Sequence, residues 1–370
     1  MRDLDTPQPL RHSRPPSLPP SSLPGDPAVL VWLWGQETEL ALAEVATLSG
    51  LSGGTAGGRR AGTPPVVVGP HLVAARVEDW HVLERLGFGR AVLRCLGWSA
   101  APRPPFDPRD VVRGSFAVKV HRLHAVGAML TEVSAAEVAL PIWRRLRHPR
   151  VDLRHPDTEL HVFVTPGGCW WGQLMHRFDQ RIFEARHPRR RPFWRSVALS
   201  PRKARCLVNL SAVHPGGRLL DPFCGTASIP IEAALLGVQA HGADLDPVVV
   251  AGASRNAAHV GVEVALSWRD ARSWGAADGC FEAIVSDLPH GRTASLHGAE
   301  REQLYRTFLA VALERLVMDG RAVLMVQAGT LPAPPPGLVV LGRYYEVVHG
   351  SLTREVAVLQ KTAPLAGASA

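Results

Sequence analysis

The sequence has few cysteines and no long apolar run. Its five cysteines among 370 residues form no CxxC pair and show no zinc-type spacing, which predicts reduced, mainly buried thiols and no metal site. No apolar stretch is long enough to span a bilayer, and the first residues lack a signal-peptide apolar region. We therefore expect a cytoplasmic protein that does not bind membranes.

Two phosphate-binding motifs are missing as well. The sequence has no GxxxxGK[ST] loop, which argues against an NTPase built on that loop. The turn PFCGTA at 222–227 contains one glycine, whereas a dinucleotide-binding fingerprint needs a second one close by. A nucleoside ligand of this chain would therefore be recognised through groups other than phosphates.

Lysine is scarce, so arginine carries most of the positive charge: the chain has three lysines. The net charge of +8 lies in the first part of the chain, because 1–197 hold 26 basic and 18 acidic residues, whereas 198–370 hold 15 of each. Within it, 140–197 has 12 arginines against 5 acidic residues. A basic stripe in one region favours a nucleic-acid partner, and an ordinary solvated arginine-rich face is the alternative.

Composition and hydrophobic spacing divide the chain into six segments. Residues 1–27 are rich in proline, serine and arginine and are predicted to form a disordered tail. The other segments are an α/β module of ferredoxin-like type over 28–108, an α+β module over 109–175, a basic linker over 176–199, an α/β domain over 200–361 and a disordered tail over 362–370. In the α/β domain, strand–helix alternation predicts a doubly wound, mostly parallel sheet that ends in an antiparallel hairpin.

Four aspartates of the α/β domain are predicted at or near the carboxyl ends of strands. Asp221 ends the strand before the Gly/Thr turn, and Asp244 follows that turn by about twenty residues, where an acid can accept from ribose hydroxyls. Asp270 is placed to accept from an exocyclic amine, and Asp287 ends the apolar strand that begins at Ala283. Ligands of open α/β sheets bind at this edge. An acidic nucleoside site without phosphate-binding loops predicts S-adenosylmethionine.

These motifs, taken in order, resemble those of class I, Rossmann-like methyltransferases. DLPHGR at 287–292 resembles the DPPY-like loop of the enzymes that methylate exocyclic amines. RPFWRSVALSPRKARCLVNLSAV at 191–213 and HGSLTREVAVLQK at 349–361 resemble the THUMP-containing tRNA guanosine N2-methyltransferases of archaea and eukaryotes, including those that act at position 10 of tRNA. The stretch 151–172 resembles the end of a THUMP domain, which makes 109–175 a THUMP-like, RNA-binding module.

The resemblance implies an S-adenosyl-L-methionine-dependent enzyme that methylates the exocyclic N2 of a guanosine in tRNA. It implies tRNA as the partner, with no DNA, and leaves a small accessory subunit open. The implied cofactor contacts are Asp221, Pro222, Phe223, Gly225, Thr226, Asp244, Leu245, Asp270, Ala271 and Asp287. The implied catalytic residues are Asp287, Leu288, Pro289 and His290, and the implied RNA contacts are Arg189, Arg190, Arg191, Arg195 and Arg292.

The DLPHG stretch has a physical rationale in such a reaction. The lone pair of guanine N2 is delocalised into the ring, so the amine is a poor nucleophile. The carboxylate of Asp287 and the carbonyl of Leu288 would both accept from it and localise its lone pair toward a sulfonium methyl group. Pro289 would fix the loop, and position 290 would stack on the extruded base.

Two residues depart from the family pattern. His290 stands where a tyrosine or phenylalanine is usual, and Ala227 stands where a glycine is usual and could crowd the methionine moiety. Two alternatives therefore stay open: an amino methyltransferase acting on rRNA guanine or a DNA base, and a catalytically impaired RNA-binding relic. Trp170 and Trp171 either stack on RNA or pack in a core.

Overall fold

The computed structural model describes residues 28–35, 37–51, 64–123, 133–196, 198–289, 298–349 and 352–363. The tail predicted over 1–27 and most of the one predicted over 362–370 lie outside these residues. Two compact units make up the chain, one drawn from 1–32, 63–76 and 91–176, the other from 33–62, 77–90 and 177–370. Among the described residues, none of the helices combines the length and apolar character that a membrane crossing requires.

The first unit is built on a mixed, eight-stranded sheet. Its strands are β1 (Ala28–Leu33), β2 (Val66–Gly69), β3 (Leu72–Arg76), β4 (Gly89–Ser99), β5 (Ser115–Arg122), β6 (Arg150–Val151), β7 (Thr158–Thr165) and β8 (Gly168–Arg177). They follow the order β2-β3-β1-β4-β8-β7-β5-β6, in which β5 pairs in parallel with β6 and β7. Because β4 lies next to β8, the hydrogen-bonded ladder continues across the division predicted at residue 108.

Helices α2 (Pro108–Val111) and α3 (Ala135–Arg145) also belong to the first unit. Val138 and Ile142 of α3 are fully buried and share a core cluster with Trp171. The indole Nε1 of Trp171 donates a 2.8 Å hydrogen bond to Ser99 Oγ, and Trp170 is 3% exposed. Both tryptophans are therefore core residues and are not available to stack on RNA.

The second unit contains a seven-stranded sheet. Its strands are β9 (Arg218–Asp221), β10 (Gln239–Asp244), β11 (Ala265–Trp268), β12 (Phe281–Asp287), β13 (Leu316–Gln327), β14 (Leu338–His349) and β15 (Leu352–Lys361). In the order β11-β10-β9-β12-β13-β15-β14, neighbours are parallel from β11 to β13 and antiparallel from β13 to β14. The predicted mostly parallel sheet and its antiparallel hairpin are confirmed.

Local sequence signals explain where the helices of this unit begin and end. The helices are α1 (Thr38–Leu51), α4 (Gln180–Ala185), α5 (Pro201–Leu210), α6 (Ser228–Ala234), α7 (Pro247–Val260) and α8 (Gly298–Arg315). The side chain of Asp246 accepts from Val248 N at 2.9 Å and caps α7, and Gly261 ends that helix with a φ of 77°. Ser200 caps α5 in the same way, just before a proline at the first helical position.

Helix α1 belongs to the second unit, although the module predicted over 28–108 includes it. Glu44 of α1 is fully buried, and its Oε1 accepts from Gly87 N at 2.8 Å and from Asn209 Nδ2 of α5 at 2.7 Å. Burial raises the pKa of Glu44 to about 7. A buried carboxyl without donors would be costly, so these hydrogen bonds hold α1 against α5.

Candidate active site

The carboxyl ends of β9 and β12 meet where the strand order of the sheet reverses, since β10 and β11 follow β9 on one side and β13 follows β12 on the other. Ligands of open α/β sheets bind at such a point. Asp221 ends β9 and Asp287 ends β12. Both line an open pocket together with Phe223, Gly225 and Thr226. The structure thus brings five of the predicted cofactor residues to one place.

Asp221 is a buried acid at the floor of this site. It is 2% exposed, and its Oδ1 accepts from Ser286 Oγ at 2.6 Å and from Phe223 N at 3.2 Å. Burial, together with the smaller effect of the nearby carboxylates of Asp287 and Asp244, raises the pKa of Asp221 to about 7. A positively charged ligand in the pocket would favour the ionised carboxylate.

The turn after β9 is fastened to the end of β10. Cys224 N donates to Ala243 O at 2.8 Å, and Gly225 N donates to Asp244 Oδ2 at 3.1 Å. Gly225 and Ala227 both have left-handed backbones, with φ values of 50° and 64°. Ala227 is fully buried in the turn. Because an alanine adopts this conformation less readily than a glycine, the departure from the family pattern at 227 carries a backbone cost.

Asp244 and Leu245 lie at the end of β10, outside the lining of the pocket. Asp244 Oδ1 accepts from Asp246 N at 3.0 Å, so its two oxygens organise both the Gly/Thr turn and the start of α7. Leu245 is 69% exposed, and its carbonyl oxygen accepts from the indole Nε1 of Trp268 at 2.9 Å. The result is an exposed apolar surface next to the acid predicted to hold the ribose.

Asp270 and Ala271 follow β11, also outside the pocket lining. Arg272 forms a two-point ion pair with Asp270, with Nη2 2.6 Å from Oδ2, and this pair lowers the pKa of Asp270. Ala271 is buried. The ionised carboxylate of Asp270 can accept a hydrogen bond from an amine. Pro222, which is also predicted to contact the cofactor, is buried in the turn after β9.

Leu288 and Pro289 continue from β12 into the predicted catalytic loop. Leu288 is fully buried, and its backbone N–H donates to Met325 O at 2.9 Å, which extends the pairing with β13. The hydroxyl of Tyr305 donates to Pro289 O at 2.8 Å. His290 lies outside the described residues. The loop is therefore held at both of the residues that precede position 290.

Sequence reasoning missed Tyr305. The side chain is fully buried on α8, and burial raises its pKa to about 12, so the hydroxyl stays a donor at neutral pH. A tyrosine within a stretch of core residues could have indicated this contact, because a buried tyrosine hydroxyl needs a hydrogen-bond partner.

Three residues that follow Phe193 also line the pocket: Arg195, Ala198 and Leu199. Asn256 of α7 holds the backbone at Phe193: its Oδ1 accepts from Phe193 N at 3.0 Å, and its Nδ2 donates to Phe193 O at 2.7 Å and to Thr226 O at 3.1 Å. Gly252 leaves room for the Phe193 ring, because a Cβ there would lie 2.3 Å from Cδ1. Asn256 is fully buried, so it braces both Phe193 and the Gly/Thr turn.

The arginines predicted to contact RNA differ in exposure. Arg189 and Arg190 are exposed. Arg195 is half exposed and lines the pocket. Arg292 lies outside the described residues. Arg189 and Arg190 are therefore the predicted RNA contacts that are exposed and do not line the pocket.

Arg191 requires a correction. It is 4% exposed, its Nη1 donates to Ser228 Oγ at 3.0 Å, and its Nε donates to Arg186 O at 2.9 Å. A guanidinium that is buried beneath the start of α6 is not available to a phosphate backbone. The basic run PRRRP predicts three exposed arginines, but three consecutive arginines cannot all face solvent where the chain packs on a helix.

The parallel sheet, the pocket at its switch point and the strand-end carboxylates define a Rossmann-like methyltransferase of class I. Residues 188–333 match the family model described as "RMKL-like, methyltransferase domain". The chain is 32% identical over 315 residues to "tRNA (guanine(10)-N2)-dimethyltransferase" of Methanothermobacter thermautotrophicus, covering 79% of this chain and 89% of that protein. It therefore belongs to the tRNA guanine-N2 methyltransferase family.

Two further relatives agree with this assignment. The protein of the same name from Pyrococcus abyssi is 31% identical over 344 residues, which cover 89% of this chain and 98% of that protein. The "tRNA (guanine(6)-N2)-methyltransferase" of Thermus thermophilus is 33% identical over 224 residues, which cover 57% of this chain and 62% of that protein. The similarity thus extends well beyond the methyltransferase domain model.

Proposed function

We propose that this protein transfers the methyl group of S-adenosylmethionine to the exocyclic N2 of a guanosine in tRNA. One observation carries the proposal: Asp287 ends β12 at the switch point of the sheet, beside the buried acid Asp221, and leads directly into Leu288-Pro289. Relatives that match most of the chain are named for N2 of guanine in tRNA, which supports this acceptor atom.

In this proposal, Asp287 and Leu288 activate the acceptor amine. The carboxylate and the Leu288 carbonyl accept the two N2 hydrogens and localise the nitrogen lone pair toward the methyl group. The backbone bond from Leu288 N to Met325 O and the bond from Tyr305 to Pro289 O keep both acceptors in position. In-line transfer then depends mainly on orientation.

The polar groups of the site fit S-adenosylmethionine, which supplies a sulfonium methyl group when bound. Asp221 has an elevated pKa, which the positive charge of the cofactor's ammonium and sulfonium groups would lower. The bound cofactor would therefore face an ionised carboxylate. A Cβ on Gly225 would meet nothing within 4 Å, so the turn leaves open space for a ligand. Asp244 would accept from the ribose, Leu245 would pack on the adenine, and Asp270 would accept from its amine.

The first unit is proposed to hold the RNA. Residues 109–175 are the THUMP-like module of this proposal, and Trp143 at the end of α3 is 43% exposed. The exposed arginines of α3 and the residues after it are Arg144, Arg145, Arg147, Arg150 and Arg154. A surface of this charge suits a phosphate backbone, and Arg189 and Arg190 of the second unit are proposed as separate RNA contacts. The proposed substrate is RNA and not DNA.

Methyl transfer to tRNA from a strain that lacks this gene tests the proposed function. The purified chain alone is supplied with labelled S-adenosylmethionine, and the tRNA is digested for nucleoside analysis, with Asp287→Asn as the matched control. Label in N2-methylguanosine that disappears in the control supports the proposal. Label in another nucleoside contradicts the acceptor atom.

A catalytically impaired protein gives a different result in the same experiment. It would bind S-adenosylhomocysteine and tRNA but transfer no label, including after Ala227→Gly and His290→Tyr restore the residues usual in the family. Activity that appears only with a cell extract would indicate an accessory subunit.

A further inference from the structure

The pocket at the switch point contains one cation among the described residues that line it. Asp221 and Asp287 supply two carboxylates to the lining, and Arg195 supplies a guanidinium. The amino-acid end of S-adenosylmethionine carries an ammonium group and a carboxylate. A pocket that holds this end needs partners of both signs, because a carboxylate placed against two acids without a cation would be repelled.

Arg195 is held at the pocket by two contacts. Its Nη2 donates to Asp246 Oδ2 at 3.2 Å, and its guanidinium carbon lies 5.8 Å from the ring centre of Phe193. The hydrogen bonds from Asn256 fix Phe193 in turn. A guanidinium has five N–H donors, so the bond to Asp246 leaves donors for a second carboxylate.

A second guanidinium lies behind one of the residues that line the pocket. Ser228 lines the pocket, and its Oγ accepts from Arg191 Nη1 at 3.0 Å. The Nη2 of Arg191 is buried and has no hydrogen-bond partner among the described residues. Burial lowers the pKa of Arg191 to about 10, which leaves it charged at neutral pH. This buried charge makes the adjacent pocket more favourable for an anion.

Resting on the proposed function, we propose that Arg195 binds the methionine carboxylate of S-adenosylmethionine and so makes the pocket selective for a cofactor with an intact amino-acid end. The ammonium group is then left to the buried acid Asp221, because the carboxylate of Asp287 is proposed to act on the acceptor amine. Arg195 is a cofactor-specificity residue in this assignment, which differs from the RNA contact predicted from the sequence.

A ligand that lacks the carboxylate tests the assignment directly. Binding of S-adenosylhomocysteine and of its decarboxylated analogue is measured by calorimetry on the full chain, for wild type, Arg195→Met and Arg195→Lys. We expect Arg195→Met to weaken S-adenosylhomocysteine binding by about tenfold or more, as for loss of a charge-assisted pair. Binding of the decarboxylated analogue should change by less than about threefold. Arg195→Lys should recover part of the loss.

Arg306→Met is the matched control, because Arg306 on α8 is exposed and is not among the residues that line the pocket. It should leave both affinities unchanged. Equal weakening of both ligands by Arg195→Met would overturn the assignment, since the change would then act on the shape of the pocket. Weaker tRNA binding with unchanged S-adenosylhomocysteine binding would also overturn it and return Arg195 to the RNA interface.

The inference and the proposed function fail in different ways. If wild type binds neither adenosyl ligand, the proposed cofactor is wrong and the role of Arg195 is wrong with it. If wild type binds S-adenosylhomocysteine and its preference over the decarboxylated analogue survives Arg195→Met, only the role of Arg195 is wrong.

Discussion

The hydroxyl of Tyr305 donates a 2.8 Å hydrogen bond to the carbonyl oxygen of Pro289. The two residues lie on α8 and on the loop after β12, and Tyr305 is fully buried. This bond ties Pro289, at the start of the proposed catalytic loop, to α8. Neither Tyr305 nor Pro289 is among the residues that line the pocket, so the bond acts on the loop.

Tyr305→Phe should therefore slow methyl transfer more than it weakens cofactor binding. We expect kcat to fall by about tenfold, because small misplacements of reacting groups are costly, while S-adenosylhomocysteine affinity stays within about threefold. Loss of one buried hydrogen bond should lower the free energy of unfolding by about 1 kcal/mol. Steady-state kinetics and calorimetry separate the two effects. An unchanged kcat would show that the bond does not position the loop.

Asp287→Ala should abolish methyl transfer while leaving cofactor affinity within a few-fold. The reason is that the carboxylate is proposed to act on the acceptor amine, whose lone pair it localises. Single-turnover transfer of labelled methyl groups measures the effect, and Glu314→Gln, on the exposed side of α8, controls for preparation. A variant that still turns over would rule out the proposed role of Asp287.

Ala227→Gly should stabilise the protein. The residue has a φ of 64°, and a left-handed backbone costs an alanine about 1–2 kcal/mol. Glycine removes this cost, but its greater entropy in the unfolded chain offsets roughly half of the gain. We expect the free energy of unfolding to rise by about 0.5–1 kcal/mol in urea titrations. Ala253→Gly, within α7, is the matched control and should lower it by about 1 kcal/mol. Destabilisation by both changes would contradict the strain at 227.

The elevated pKa of Asp221 predicts a pH dependence of stability. Its pKa is about 7 in the folded protein and about 3.9 in an unfolded chain, so the folded state binds the extra proton between these values. The free energy of unfolding should therefore decrease as pH rises from about 4 to about 7. Above about pH 7, the stabilising contribution of Asp221 should be fully lost.

Asp221→Asn isolates this effect, because the amide oxygen can still accept from Ser286 and carries no charge. Relative to the variant, wild type should lose up to about 1.4 kcal/mol of stability per pH unit within the window. Urea titrations at several pH values measure the difference. Parallel pH profiles for the two proteins would show that Asp221 does not titrate there.

Replacing Arg189 and Arg190 by glutamine should weaken tRNA binding and flatten its dependence on salt. Each lost phosphate contact reduces the slope of log K against log salt by about 0.7–0.9. Filter binding over a range of KCl concentrations measures the slope, with Arg306→Gln on α8 as a control for an exposed arginine. Arg191 is left unchanged because it is buried. An identical slope would place the electrostatic contact elsewhere.

The sequence by itself determined the features that depend on neighbouring residues. Strand–helix alternation predicted the parallel sheet, and the strand-end positions of Asp221 and Asp287 followed from it, because parallel strands end at one edge. The cap at Ser200 and the terminal hairpin are set by local backbone chemistry in the same way.

Only the tertiary structure decided which distant groups meet. The burial of Arg191, the place of Arg195 in the pocket lining and the bond from Tyr305 to Pro289 depend on how separate segments pack on one another. Glu44 joins α1 to α5 across a sequence separation of 165 residues. No periodicity or local motif encodes such pairs, since each side chain finds its partner only after the chain has folded.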